Sequence, residues 1–180
     1  MGCDIHLFVE HGVDAGPFCA LADGAFLLPR DYALFAALAG VRAAASFVPL
    51  HSPRGLPADV SQEVSARYFI PVWEDERALA WEVGEHYTPA QAAALVASGA
   101  SHWLPEGVTT PFLQSTHGYI SHPDWHAASW LTARELRLAL DHASYPLERA
   151  SDEFQVLFHY VEAMASRKGP STRIVFWFDN

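Results

Sequence analysis

The apolar run Ile174-Val175-Phe176-Trp177-Phe178, close to the end of the 180-residue chain, constrains the fold more than any other stretch. It has no polar alternation, so as a strand it leaves no side for water and needs cover on both faces. The opening MGCDIHLFVE reads as a second strand, Cys3 to Glu10, with a different pattern. Side chains alternate along a strand, which puts Cys3, Ile5, Leu7 and Val9 on one face and Asp4, His6, Phe8 and Glu10 on the other. A covered strand needs layers above and below it, and the segments between these two ends supply helices. Residues 1–180 are therefore expected to form a single α+β domain, with a small mixed sheet that includes the N- and C-terminal strands and helices packed on it.

A glycine-rich turn from Gly12 to Gly16 and a short strand near Phe18 to Leu21 are expected after the first strand. In RDYALFAALAGVR, Asp31 caps a short buried helix that Gly40 stops. Val41 to Asp59 carries Pro49, Pro53, Gly55 and Pro57 and predicts a rigid loop held against the body. SQEVSARYF fits a helical turn, and WEDERALAWEV fits either a helix or an outer strand. TPAQAAALVASG has Thr88 as cap, Pro89 at the first helical position and Gly99 as stop. Ser101 to Trp125 is interrupted by proline and glycine and reads as a long irregular segment. Thr132 with Glu135 forms a capping box for a helix to about Asp141. A last helix, Asp152 to about Ser166, lines up Phe154, Leu157, Phe158, Val161 and Ala165 and stops at Gly169.

Charge excludes one broad class of function. With 21 acidic and 11 basic side chains the formal charge is -10, the wrong sign for a protein held to a phosphate backbone by counterion release. General nucleic-acid binding is disfavoured, while a local pocket for a small anion is not. Cys3 and Cys19 are too few for a disulfide framework and lack zinc-module spacing, which points to a reducing cytoplasmic setting. No leader pattern or membrane-length apolar stretch is read, and His6 stands where a myristoylation signal has Ser or Thr.

The polar residues in apolar surroundings point to chemistry. Asp4 and His6 share a strand face about 7 Å apart, close enough to converge on one ion. A second D-x-H pair, Asp124 and His126, occurs in HPDWH, and Asp179 follows the apolar run. Such a carboxylate and imidazole set suits zinc, manganese or iron. A structural account is open as well: Asp4 pairs with Arg173 or another arginine, His6 donates to a backbone carbonyl, and Asp179 is exposed. Arg30 and Arg42 flank the Tyr32 to Gly40 helix, and Arg54 lies in SPRGLP. An arginine fork on a rigid loop binds phosphate or carboxylate, although these arginines could equally pair with nearby acids, Arg54 with Asp59 for example. No G-x-S-x-G elbow, P-loop, dinucleotide fingerprint or H-E-x-x-H helix is present. Ser121, His122 and Asp124 are too close in sequence to imply a triad, and the six tryptophans could stack a base or sugar.

Together, MGCDIHLFVE, RDYALFAALAGVR, PRGLPADVS, DWHAASWLTARELR and RIVFWFDN resemble a group of small uncharacterised proteins carried by phages and bacteria. The resemblance implies a shared site. Asp4, His6, Arg30, Tyr32, Arg42, Arg54, Gly55, Asp59, Asp124, His126, Ser129 and Asp179 fall inside its motifs. Of these, Asp4, His6, Asp124, His126 and Asp179 are the candidate metal ligands, and Arg30, Tyr32, Arg42, Arg54 and Asp59 the candidate substrate contacts. In one respect the chain departs from the pattern. Related sequences read D-x-H-x-H-S in the fourth block, and Ala128 stands here where the second imidazole would be, leaving His122 or His117 as a substitute. The expected function is a metal-assisted hydrolase acting on a phosphorylated or nucleotide-like small molecule. Its rival is a non-enzymatic ligand- or protein-binding accessory protein.

Overall fold

The computed structural model describes residues 2–12, 17–21, 26–97, 112–114, 117–122, 124–168 and 171–179. The turn at 13–16, the stops at Gly99 and Gly169, and 101–111, 115–116 and 123 of the expected irregular segment lie outside the described residues. The apolar C-terminal run lies in β7 (Thr172–Asp179), flanked by β1 (Asp4–Gly12) and β6 (His126–Thr132), with β2 (Phe18–Ala20) completing the order β2-β1-β7-β6. Both edges of β7 are thus paired, and its residues from Ile174 to Phe178 are buried. All the strand pairings are antiparallel, a more uniform sheet than the mixed one expected.

The two faces of β7 enter different cores. Ile174, Phe176 and Phe178 join Cys3, Ile5, Leu7 and Val9 of the first strand segment beneath three helices: α1 (Tyr32–Ala39), α5 (Ala133–His142) and α6 (Asp152–Lys168). Val175 and Trp177 join Phe8, Ala128, and Val64 and Tyr68 of α2 (Gln62–Tyr68) on the other face. The alternation read in the first strand is therefore the one the fold uses.

Local chemistry sets the helix ends. The Asp31 carboxylate accepts from the backbone N–H groups of Ala33 and Leu34, both at 3.0 Å, and Gly40 closes α1 at φ 72° in the left-handed region that glycine tolerates. Thr132 and Glu135 form the reciprocal capping box at the start of α5. The segment read as helix or outer strand holds α3 (Asp75–Ala80), and α4 (Pro89–Ala97) follows.

The strands in the middle of the chain depart from expectation. No strand is expected just before the Thr132 cap, yet His126–Thr132 is β6. Its register moves from His126 opposite Phe178 to Ser129 opposite Phe176, three residues against two, with Ala127 at φ 50°. That bulge hides the period of two. Part of the segment read as irregular forms β5 (His117–Ser121), which pairs with β3 (Phe69–Val72) and β4 (Phe112–Gln114) in a second sheet ordered β3-β5-β4. No helix among the described residues is long and apolar enough to cross a membrane.

A buried ion pair locks the far end of the sheet. Arg173 donates from Nε to the fully buried Glu10 carboxylate at 2.7 Å and from Nη1 to Asp59 at 2.7 Å, while the second Glu10 oxygen accepts from the Ser61 backbone N–H at 2.7 Å. The 59–61 segment, and with it the N-terminus of α2, is thereby fastened to β1 and β7.

Candidate functional site

Antiparallel pairing of β1 with β7 sets Asp4 opposite Asp179 and His6 opposite Trp177. The Asp179 carboxylate bridges the strands. One oxygen accepts from the Asp4 backbone N–H at 3.1 Å, and the other lies 3.0 Å from His6 Nε2. Arg30, just before α1, closes a two-pronged grip on the Asp4 carboxylate, with Nη2 at 2.7 Å from Oδ2 and Nε on Oδ1. Its hydrogen bonds hold the Asp4 carboxyl below the usual carboxylate range. Arg30 needs the bare backbone of Gly2, since a Cβ there would lie 2.0 Å from its Nη1. Cys3 faces the helix-covered core, where burial pushes its thiol up against the opposing pull of Arg42. A thiol so placed is a poor source of the thiolate that ligation or attack requires.

The His6 ring lies nearly parallel to Trp177, at 5.4 Å between centroids and 12° between planes, and meets Trp125 at 5.5 Å. Trp125 in turn meets His122 at 5.7 Å and Tyr68 at 5.4 Å. The rings of His6, His122, Trp125 and Trp177, with Tyr68 buried behind them, form one side of a cleft of about 430 Å³, whose lining also includes Arg67 and Glu85. Such a volume lies within the range of roughly 300–1,000 Å³ usual for small-molecule sites. Arg67 forms no ion pair among the described residues, as is also true of Arg77, Arg134, Arg149 and Arg167.

The candidate metal ligands are only partly gathered. Asp4, His6 and Asp179 meet at this end of the sheet. Asp124 is exposed and turns to His122, whose Nδ1 accepts from the Asp124 N–H at 3.2 Å. His126 stacks on Phe178, a residue of the opposite, helix-covered face, at 6.0 Å. Among the described residues no three His, Cys, Asp or Glu side chains converge as an ion-holding group. Ala128, where the resembled pattern has an imidazole, is fully buried with Trp177 and Tyr68 on the His6 face. The second imidazole of the cleft is His122.

The candidate substrate contacts divide similarly. Arg30 and Arg42 lie beside Asp4 and Cys3, and Tyr32, half exposed, rests edge-on against Phe35 within electrostatic reach of Arg30. Arg54 and Asp59 do not reach this end. Arg54 grips Glu135 with both terminal nitrogens, at 3.0 and 3.2 Å, and lies 3.9 Å over Trp130. Burial raises the Glu135 carboxyl, but the Arg54 and Thr132 hydrogen bonds outweigh it and bring it down to about 2. Asp59 belongs to the Arg173 pair, six register positions along β1 and β7 from Asp4 and Asp179, roughly 20 Å at strand rise. The motif residues Gly55 and Ser129 join the proline-rich loop to β6: the Gly55 N–H donates to Ala128 O at 2.8 Å, and Ser129 Oγ accepts from the Arg54 N–H at 3.3 Å.

Sequence reasoning named Asp4, His6, Arg30 and Asp179 but missed Trp125, Trp177, Tyr68 and Arg67 as their surroundings. One signal was available for Trp177, which lies two positions before Asp179 and so shares its strand face. No family profile, curated protein or solved structure matches the chain.

Proposed function

We propose that the chain is a hydrolase acting on a phosphorylated or nucleotide-like small molecule bound in the aromatic cleft. One observation carries this reading: His6, held through Nε2 by Asp179 and stacked on Trp177, lines a cleft of ligand size. A carboxylate on one ring nitrogen fixes the orientation and tautomer of an imidazole, as general acid–base work requires. Nδ1 makes no hydrogen bond among the described residues and is the nitrogen left to move a proton. Arg67 would take the anionic group of the substrate. A divalent ion (zinc, manganese or iron), where one is used, would be held by the Asp4 and Asp179 carboxylates and would supply a water of lowered pKa, which requires Arg30 to release the two Asp4 oxygens it occupies. Cytoplasmic location accords with the two free cysteines. The motif blocks that resemble those of phage and bacterial proteins accord with a common site, since Asp4, His6, Arg30 and Asp179 come from three of them.

Binding without turnover is the second reading, favoured by Arg30, which already occupies both Asp4 oxygens. The deciding experiment is hydrolysis of a panel of nucleotides and phosphomonoesters with zinc, manganese or iron added, alongside metal content by elemental analysis. Turnover that falls at least about a hundredfold in His6→Ala, in protein that stays folded, is the expected result. Activity retained in His6→Ala, or no turnover of any compound by the wild type, would overturn the hydrolase reading.

A further inference from the structure

The cleft lies where the two sheets meet, and each sheet brings one imidazole to it. His6 and Trp177 come from β1 and β7 of the first sheet, and Phe69, Ile70 and Pro71 from β3 of the second. In the second sheet Phe69 pairs opposite Ser121. Antiparallel register therefore carries Arg67, just before β3, and His122, just after β5, to the same end of that sheet. Both line the cleft. Trp125 joins this end to the first sheet, its ring 5.7 Å from that of His122 and 5.5 Å from that of His6.

The two imidazoles are fixed in opposite senses. His6 meets the Asp179 carboxylate through Nε2, which leaves Nδ1 as the acceptor of the neutral ring. His122 accepts the Asp124 backbone N–H at Nδ1 over 3.2 Å, so the hydrogen of its neutral ring sits on Nε2. That N–H makes no hydrogen bond among the described residues, and the side chain is 30% exposed. Asp124 is not part of the lining, so His122 turns its acceptor toward its own backbone and keeps its donor for the cleft. Arg67 is exposed at the same end and adds a permanent cation. Glu85, the acidic group of the lining, belongs to the segment whose Tyr87 bridges to Val72 at the far end of β3, which directs an anion to the Arg67 end. We infer that His122 is an anion-binding residue of the cleft: its Nε2–H and the Arg67 guanidinium together hold the phosphate of a phosphomonoester. A phosphate accepts several hydrogen bonds at once and gains most from charged donors, so one N–H and one guanidinium suit it. This inference rests on the proposed use of the cleft and adds the group that grips the phosphate.

The test is calorimetric titration of the full chain with inorganic phosphate and phenyl phosphate, in the wild type and in His122→Phe, His122→Gln and Arg67→Gln, with circular dichroism to show that each variant is folded. Phenylalanine keeps a ring and removes the donor, whereas the glutamine amide places an N–H close to the position of Nε2–H. Phenyl phosphate is expected to bind the wild type, to bind His122→Phe about tenfold or more weakly, and to bind His122→Gln within about threefold of the wild type. Arg67→Gln is expected to weaken it about tenfold as well. Equal weakening in the two His122 variants makes the residue a packing element and overturns the donor role. Unchanged affinity in His122→Phe, or no binding of either probe by the wild type, overturns the inference, and unchanged affinity in Arg67→Gln removes Arg67 from it. Turnover separates the two proposals. Phenyl phosphate bound through His122 with no phosphoester hydrolysed keeps this inference and removes the hydrolase, whereas hydrolysis that needs His6 but shows the same KM in His122→Phe does the reverse.

Discussion

Glu10→Ala tests how strongly the sheet depends on its buried ion pair. The Glu10 carboxylate is 0% exposed and has two partners, Arg173 Nε and the Ser61 backbone N–H, each at 2.7 Å. Removing it strands a guanidinium that is itself only 4% exposed and leaves a buried backbone donor without an acceptor. Breaking a buried pair from one side costs about 3–5 kcal/mol, because the remaining charge stays desolvated. Arg173 keeps Asp59 through its side chain at 2.7 Å and its carbonyl at 3.1 Å, which favours the lower half of that range. The orphaned Ser61 N–H adds about 1–3 kcal/mol, which brings the expected loss to about 4–7 kcal/mol. For a chain of this length each kcal/mol shifts the melting temperature by about 2–4 °C, so Glu10→Ala should melt at least roughly 8 °C lower. Thermal and urea unfolding, followed by circular dichroism, measure it. The double variant Glu10→Leu with Arg173→Met removes both charges and should recover most of the loss. A fall of less than about 3 °C in Glu10→Ala, or a double variant no more stable than the single one, would refute the reasoning.

Other perturbations probe the remaining polar contacts. Glu135 has its folded value lowered from 4.5 to about 2, so its contribution is present above about pH 4.5 and is lost as pH falls toward 2. Glu135→Gln should be less stable by about 1–3 kcal/mol at neutral pH and show a flatter stability profile between pH 4.5 and 2, measured by urea unfolding across that window. Thr132→Ala removes the reciprocal cap of α5 and should cost about 1 kcal/mol, or about 2–4 °C in melting temperature. Arg30→Ala should raise the Asp4 carboxyl toward its usual range, as read by NMR titration, with little change in melting temperature because the pair is half exposed. If an ion uses Asp4, the same variant should bind manganese or zinc more tightly by calorimetry; unchanged affinity would remove Asp4 from the ligand set.

How far the site could be read in advance depended on the range of the interaction involved. Asp31, Gly40, Thr132 and Glu135 announce the ends of α1 and α5 because caps use residues within one turn of each other. The two-sided burial of β7 and the alternation of β1 were legible because side-chain direction follows directly from strand geometry. The β6 strand was not legible, since one extra residue at its bulge erases the period of two on which a strand is recognised. Asp4, His6 and Asp179 stood out as polar residues beside apolar runs, but their partners did not. Arg30 rather than Arg173 holds Asp4, Arg173 holds Glu10 and Asp59, and Arg54 holds Glu135.

The amino-acid order by itself therefore determined the α+β class, the helices with clear caps, and the faces of the two terminal strands, all consequences of sterics and hydrogen bonding over a few residues. Only the tertiary structure decided that His6 meets Asp179 and Trp177, that His126 is carried to the opposite face, and that Trp125, His122 and Arg67 line one cleft with His6. Those outcomes follow from strand register and helix packing, where a shift of one residue moves a side chain to the other face and exchanges every ion-pair partner.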